Sequence, residues 1–252
     1  MTTANQAAID MHGNLVSDAA PPHSRATPPP SYRYYDFIMA AFVAVLLCSN
    51  LIGPAKVAQI GGVQFGAATL FFPISYIFGD ILTEVYGYAR ARRVVWMGLA
   101  AMLFASAMAA VVVALPAAPQ WPHQAAYATV FGATWRVAAA SLAGFWAGEF
   151  CNAYVLARLK VKTAGRHLWL RLIGSTLIGE GVDTLIFFPL ALYGILPDGL
   201  LASIMLTNYV LKCAWEILAT PLTYAVVRAL KRAENQDFYD RNTNFNPFHL
   251  QD

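Results

Sequence analysis

The chain has 252 residues, of which 58% are hydrophobic and 12% charged, against about 25% charged in soluble domains; such a composition belongs in a membrane and excludes an ordinary soluble enzyme. The net charge of +3 calls for no nucleic-acid partner, because it is accounted for by where Lys and Arg fall between apolar runs. Runs of about 20 apolar residues cross a bilayer as helices, and six are read here: Phe37–Ile52, Ala67–Leu82, Val94–Leu115, Val137–Leu156, Leu172–Leu196 and Leu200–Val227. The expectation is an all-α integral membrane protein, a single bundle of six transmembrane helices, with no room for a soluble catalytic or ATP-binding domain.

Residues 1–33 are rich in Ala, Pro, Ser, Thr and His, reach Pro28-Pro29-Pro30, and lack an apolar core with a cleavage pattern. They read as a disordered tail and not as a signal peptide. Residues 34–230 form the membrane domain. Its first run is short, and is either extended at the interface by Tyr34 and Tyr35 or accommodated by local thinning of the bilayer. The second carries Asp80 and Glu84, four apart on one helix face, with Thr83 alongside. Two like charges there repel, so a cation lies near them, one is protonated, or Glu84 has already reached the interface beside Arg90.

The fourth run has Gly144, Gly148 and Asn152 at four-residue spacing, a small-residue face that admits another helix closely and permits a dimer, with Glu149 beside it. In the fifth, Ser175, Gly179 and Asp183 share one stripe, and Thr176, Glu180 and Thr184 share the next. The sixth has Asn208, Lys212 and Glu216 as one polar spine along an apolar helix; Lys212 can pair locally with Glu216, but Asp183 or Asp80 on another helix is the better partner. Residues 231–252 are a polar tail whose Asn-rich end (Asn242, Asn244, Asn246) carries no legible role.

These acids and amides matter because each charged side chain at a helix centre facing lipid costs roughly 2.5–3.5 kcal/mol, while a Leu or Ile returns about 0.3–0.6. They must therefore point into the bundle, where such residues mark a transport or ligand site or fix helix packing. The candidates are Asp80, Glu149, Asn152, Glu180, Asp183, Thr184, Asn208 and Lys212. Cys48, Cys151 and Cys213 all lie in spans and imply no disulfide framework. No His lies inside a span, and neither an HExxH nor a GxxxxGK[ST] pattern occurs, so no metal, cofactor or catalytic set is called for.

Arg90, Arg92 and Arg93 follow the second run, Arg158, Lys160, Lys162, Arg166 and Arg171 follow the fourth, and Arg228, Lys231 and Arg232 follow the sixth. The opposite loops hold only Lys56 and Arg136. By the positive-inside rule the basic loops and both termini are cytoplasmic. The second and fifth runs also match at an offset of one hundred, Ser75, Gly79, Asp80, Thr83 and Glu84 against Ser175, Gly179, Glu180, Asp183 and Thr184. Helices three spans apart cross in opposite directions, as in an inverted repeat with its site near the midplane.

The run Gly79-Asp80-Ile81-Leu82-Thr83-Glu84-Val85-Tyr86-Gly87, the basic Arg90 to Arg93, the run Ser175 to Thr184 and Asn208-Tyr209-Val210-Leu211-Lys212 together resemble the queuosine precursor transporter family of the vitamin uptake group. The resemblance covers about residues 37–230. It implies import across a bacterial inner membrane of 7-deazaguanines such as 7-cyano-7-deazaguanine, for queuosine in tRNA. It also implies a bundle similar to the substrate-binding components of energy-coupling-factor transporters, and leaves open whether an external ATPase module takes part. A guanine-like base suits the polar set: its N1–H and exocyclic amine fit a carboxylate from Glu180 or Asp183, and its O6 fits a donor from Asn208 or Lys212. Tyr76, Phe78, Phe187, Tyr209 and Trp215 are available to stack on the ring. The alternatives are an assembly protein whose buried charges only fix helix register and, further off, an intramembrane enzyme, for which no nucleophile set is present.

Overall fold

Six long helices stand where the six apolar runs lie, and smaller elements fill two of the loops. The computed structural model describes residues 32–52, 56–60, 63–132 and 135–249, so the stretch read as an N-terminal tail lies outside the described residues except for Tyr32 and Arg33. In chain order come α1 (Tyr35–Leu51), β1 (Val57–Ile60), β2 (Val63–Gly66), α2 (Ala68–Tyr86), α3 (Tyr88–Ala114), α4 (Gln124–Phe131), α5 (Trp135–Lys162), α6 (Leu168–Leu192) and α7 (Asp198–Glu234). Among the described residues the fold is all-α apart from the antiparallel pair β1–β2, whose register pairs Val57 with Gly66 and Ile60 with Val63. Sequence reasoning assigned this loop no structure, although two short β-branched runs around Gly61-Gly62 carry a hairpin signal.

Among the described residues α2, α3, α6 and α7 are long and apolar enough to cross a membrane, and α1 is apolar but has 17 residues. The 28 residues of α5 include Glu149 and Asn152, which dilute its apolar character. Several helices outrun their apolar runs at one end: α3 starts at Tyr88, α5 continues to Lys162 and α7 to Glu234. Hydropathy marks the lipid-facing stretch, whereas backbone hydrogen bonding carries the helix on through the interface where the Lys and Arg residues stand.

The most apolar stretch of α2 is 61% buried inside the protein against 17% for α3. Accordingly α2 sits centrally and touches α1, α3, α5 and α7, while α5 packs most extensively on α6. The remaining apolar surface faces outward, as with Leu103, Phe104 and Val111 on α3 and Leu206, Leu218 and Leu222 on α7; lipid covers such residues at no cost. Only Gly87 separates α2 from α3. Its φ of +86° is open to glycine, and a Cβ there would lie 2.2 Å from Phe238.

One end of the bundle gathers both ends of the helical domain and both basic loops. The Tyr34 N–H donates to Glu234 at 2.8 Å, the Tyr86 hydroxyl donates to the same carboxylate at 2.9 Å, and the Tyr35 hydroxyl donates to the Arg90 carbonyl at 3.1 Å. The polar segment after α7 is not loose here. Asp240 is buried and accepts the Tyr88 N–H at 3.1 Å, which satisfies an orphan donor at the start of α3 and sets a negative charge at that helix's N-terminus. Arg92 donates to the carbonyls of Asn244 and Asn246 at 2.7 and 2.9 Å, and Trp96 donates to the Pro247 carbonyl at 2.8 Å. The asparagines acquire a role: the Asn244 and Asn246 side-chain oxygens each accept the backbone N–H two residues on, at 3.0 Å, and so fold the segment into Asx turns.

Candidate functional site

Four helices aim polar side chains at one another in the interior: Tyr76 and Asp80 from α2, Glu149 and Asn152 from α5, Thr176, Glu180, Asp183 and Thr184 from α6, and Lys212 and Glu216 from α7. Tyr76, Glu149, Asn152 and Glu180 have no exposed surface. Helical spacing puts each set on one face, since the pairs are three or four residues apart.

Close approach makes the gathering possible. A Cβ on Gly79 would lie 1.7 Å from a Glu149 carboxylate oxygen, so Glu149 rests directly on the α2 backbone. A Cβ on Gly148 would meet the Tyr76 hydroxyl at 2.5 Å and the Gly179 carbonyl at 2.9 Å, so α5 and α6 cross backbone to backbone. The small-residue face read as permitting a dimer is thus used within the chain, against α6.

Lys212 is the cation of the cluster. Its ammonium donates to Asp183 at 2.6 Å and to Glu180 at 2.9 Å, and lies 4.3 Å from the centre of the Phe72 ring. The expected interhelical partner Asp183 is therefore found, and Glu180 joins it. Asp80 is not the partner: its carboxylate instead accepts from the Asn152 amide at 2.8 Å. Nor does Lys212 pair with Glu216 along α7, because Glu180 and Asp183 at successive turns of α6 together chelate the ammonium.

Seven of the eight candidate residues meet in this cluster: Asp80, Glu149, Asn152, Glu180, Asp183, Thr184 and Lys212. Asn208 stands apart, one turn of α7 from Lys212, donating to its own helix at Ile204 (3.0 Å) and lying 3.5 Å from the Thr69 hydroxyl. Of the aromatics considered for stacking, Tyr76 belongs to the cluster, Phe187 packs edge-on against Phe188 at 5.0 Å, and the Tyr209 hydroxyl donates to the Leu177 carbonyl at 3.1 Å. Phe72, which lies against Lys212, was missed; it stands one turn before Tyr76 on the same face of α2, and that spacing was the available signal.

Many buried acceptors in the cluster have no hydrogen-bond partner among the described residues: both oxygens of Glu149, Oδ2 of Asp80, Oε1 of Glu180, Oε2 of Glu216 and Oδ1 of Asn152, together with the hydroxyls of Tyr76 and Thr184. Buried polar groups are nearly always satisfied, so a concentration of this kind indicates a place that receives donors from elsewhere. The site can chemically accept several N–H groups, or protons, on a surface walled by apolar helices.

Glu84, one turn from Asp80, belongs to a different assembly at the end of the bundle. Its fully buried carboxylate is held by Arg171 (2.8 and 3.2 Å) and Lys231 (2.6 Å), with Lys160 at 3.6 Å. Lys160 also donates to the Glu84 carbonyl at 2.6 Å and to Asp237 at 2.6 Å, and Asp237 reaches Lys231 at 2.8 Å. Of the three readings offered for Glu84, a nearby cation is the one found. Arg90 instead turns back to the Tyr86 carbonyl at 3.4 Å, and the cations come from the ends of three other helices, which spacing within α2 could not reveal. Asp237 lies outside the spans; burial pushes its carboxyl up, but the Lys160 and Lys231 ammonium groups outweigh this and hold it below the usual carboxylate range.

The α2 and α6 segments that match in sequence also behave alike. Ser75 donates to the carbonyl three residues before it at 2.6 Å and Ser175 does the same at 3.0 Å, while Gly79 and Gly179 each receive a polar residue of α5.

Residues 66–226 match the family described as "Putative vitamin uptake transporter". A Bacillus subtilis (strain 168) protein named "Probable queuosine precursor transporter" is 32% identical over 205 residues, covering 79% of this chain and 86% of the relative. An Escherichia coli (strain K12) protein named "Queuosine precursor transporter" is 27% identical over 201 residues, covering 78% and 87% respectively. No solved structure gives a significant match.

Proposed function

Because this chain belongs to the vitamin uptake transporter family, a group of multi-pass membrane proteins that carry small molecules, we propose that it imports queuosine precursors, the 7-deazaguanines, for queuosine synthesis in tRNA. The observation that carries this reading is the 32% identity with a relative of that name over 79% of the chain. The polar cluster agrees with it. A 7-deazaguanine presents several N–H donors on a flat ring, and the cluster holds acceptors without partners between α2, α5, α6 and α7.

In this reading the base lies among Asp80, Asn152, Glu180, Asp183, Thr184 and Lys212, with Asn208 one turn along the path. Oε1 of Glu180 is the natural acceptor for a base N–H, because Lys212 fixes the carboxylate through the other oxygen, Oε2. Lys212, held between two acids, orients both. An assembly protein whose charges only fix helix register is disfavoured by the same bare acceptors, since a purely structural network would satisfy them. The basic end of the bundle faces the cytoplasm of a bacterial inner membrane, by the positive-inside rule.

The test is uptake of labelled 7-deazaguanine by vesicles containing the purified protein alone, with the label recovered chemically unchanged. Uptake without ATP shows that no external ATPase module is needed, and a chemically altered label identifies an enzyme instead. Changing Glu180 to Gln turns one acceptor oxygen into a donor facing a base N–H. It should weaken affinity by the roughly 1–3 kcal/mol of an unsatisfied buried group, about ten- to a hundredfold. Normal affinity in Glu180→Gln would place base recognition on another carboxyl.

A further inference from the structure

The transport reading gives Glu149 no part. Glu149 has no exposed surface, neither of its carboxyl oxygens has a hydrogen-bond partner among the described residues, and it is pressed onto the backbone of α2 at Gly79. The groups that face it are mostly acids: Asp80 from α2, and Glu180 and Asp183 from α6. Glu216 from α7 and the Tyr76 hydroxyl from α2 complete the ring. The cation of the cluster, Lys212, is already engaged by Glu180 and Asp183 at 2.9 and 2.6 Å.

Among the described residues the cluster therefore sets the carboxyls of Asp80, Glu149, Glu180, Asp183 and Glu216 against a single ammonium. A neutral 7-deazaguanine can satisfy acceptors but cannot cancel charge. Carboxylates that share a water-poor site do not all stay ionised, because each added negative charge raises the cost of the next. The missing positive charge has to be supplied by something that enters and leaves with the transport cycle.

We infer that Glu149 carries a proton with the substrate, so that import of the 7-deazaguanine is driven by the proton gradient. The step balances simply. The carboxylate takes one proton from the outer side to become a neutral acid, its new O–H donates to a neighbouring carboxylate, and the proton is released on the inner side when the substrate departs. One positive charge then crosses the membrane with each neutral base. The bonding of its neighbours favours Glu149 as the carrier. Asp80 is already bonded to Asn152 at 2.8 Å, Glu180 and Asp183 are bonded to Lys212, and Glu216 has side-chain hydrogen-bond partners in Thr176 and Asp80, whereas among the described residues neither oxygen of Glu149 makes a bond that a proton would have to displace.

This inference rests on the transport reading, and one preparation tests the two separately. The full chain is reconstituted in vesicles, and labelled 7-deazaguanine uptake is measured with equal pH on both sides and with the outside more acidic by about one unit. Exchange of internal unlabelled for external labelled base at equal pH reports transport alone, and its absence from the wild type removes the transport reading itself. With exchange present, proton coupling predicts about tenfold accumulation for one pH unit and one proton per substrate, abolished by a protonophore. A wild type that accumulates no more with the gradient than without it overturns the inference. The role of Glu149 is read from the ratio of uptake with the gradient to uptake without it: Glu149→Gln should bring this ratio to one, whatever its absolute rate. A ratio in Glu149→Gln equal to the wild type's overturns the assignment. Glu149→Asp keeps a carboxyl and should keep the response with a displaced external-pH midpoint, and an unchanged midpoint also counts against Glu149.

Discussion

Removing the charge of Glu84 should destabilise the protein by stranding a buried cation at the basic end of the bundle. The carboxylate has no exposed surface and is held by Arg171, itself 1% exposed, at 2.8 Å, by Lys231 at 2.6 Å and by Lys160 at 3.6 Å. Breaking a buried ion pair from one side costs about 3–5 kcal/mol, because the partner charge stays behind without compensation. The three cations are not equally stranded by Glu84→Gln. Lys160 keeps Asp237 at 2.6 Å and the Phe238 carbonyl at 2.7 Å, and Lys231 keeps Asp237 at 2.8 Å and is 21% exposed. Among the described residues Arg171 keeps only Thr163 at 3.4 Å and the Arg166 carbonyl. One largely uncompensated cation places the expected loss near the lower bound, about 3 kcal/mol, which for a domain of this size lowers Tm by about 6–12 °C. Thermal unfolding of the detergent-solubilised protein, followed by circular dichroism, measures it. In a double-mutant cycle Glu84→Gln with Arg171→Met should be less destabilised than the sum of the single changes, by about 1–3 kcal/mol. A Glu84→Gln protein melting within about 2 °C of wild type, or a cycle that closes additively, would refute the reasoning.

Three further outcomes follow from the geometry. Gly148→Ala puts a methyl 2.5 Å from the Tyr76 hydroxyl and 2.9 Å from the Gly179 carbonyl, so it should cost about 1–3 kcal/mol of overpacking. Gly174→Ala, whose Cβ meets only Leu159 at 3.5 Å, should stay within about 0.5 kcal/mol of wild type, and equal melting temperatures for the two would contradict the close α5–α6 crossing. Asp183→Asn and Lys212→Met should each lower Tm while the double variant recovers part of the sum; simple additivity would mean that the 2.6 Å contact carries no coupling. Asp237 has a lowered folded-state pKa, because Lys160 and Lys231 outweigh its burial. Its stabilisation is therefore fully present above the unfolded value of about 3.9 and is lost as pH falls through the folded value. The melting difference between wild type and Asp237→Asn should be constant near neutrality and shrink below about pH 4, and a difference that grows on acidification has the wrong sign.

The helices were legible because lipid imposes a one-dimensional rule. Twenty apolar residues are visible without knowing what they touch, and Asp80, Glu149, Glu180 and Lys212 stand out against them by cost alone. That cost states that a charge must turn inward, and the same helical spacing then put Glu180 and Asp183 on the edge that meets Lys212. It does not state which acid a given lysine will meet, so Asp80 was an equal candidate until the α5 amide of Asn152 took it. The Glu84 assembly was illegible for a related reason. Arg171, Lys160 and Lys231 sit in basic loops and helix ends where topology alone explains them, and no periodicity links the ends of four helices. The C-terminal asparagines were silent because their function is carried by backbone carbonyls and Asx turns, which leave only a polar composition in the sequence.

The segment from Asp237 to Phe248 emerges from the ribosome after every helix it touches. Until it arrives, the first N–H of α3 lacks the Asp240 carboxylate, Arg92 lacks its two carbonyl partners, and Lys160 lacks Asp237. A chain still being inserted therefore holds the basic end of α5 through Glu84 alone, whose carboxylate and carbonyl lie 3.6 and 2.6 Å from the Lys160 ammonium. The segment can close over the bundle only once the helices it ties together already stand side by side.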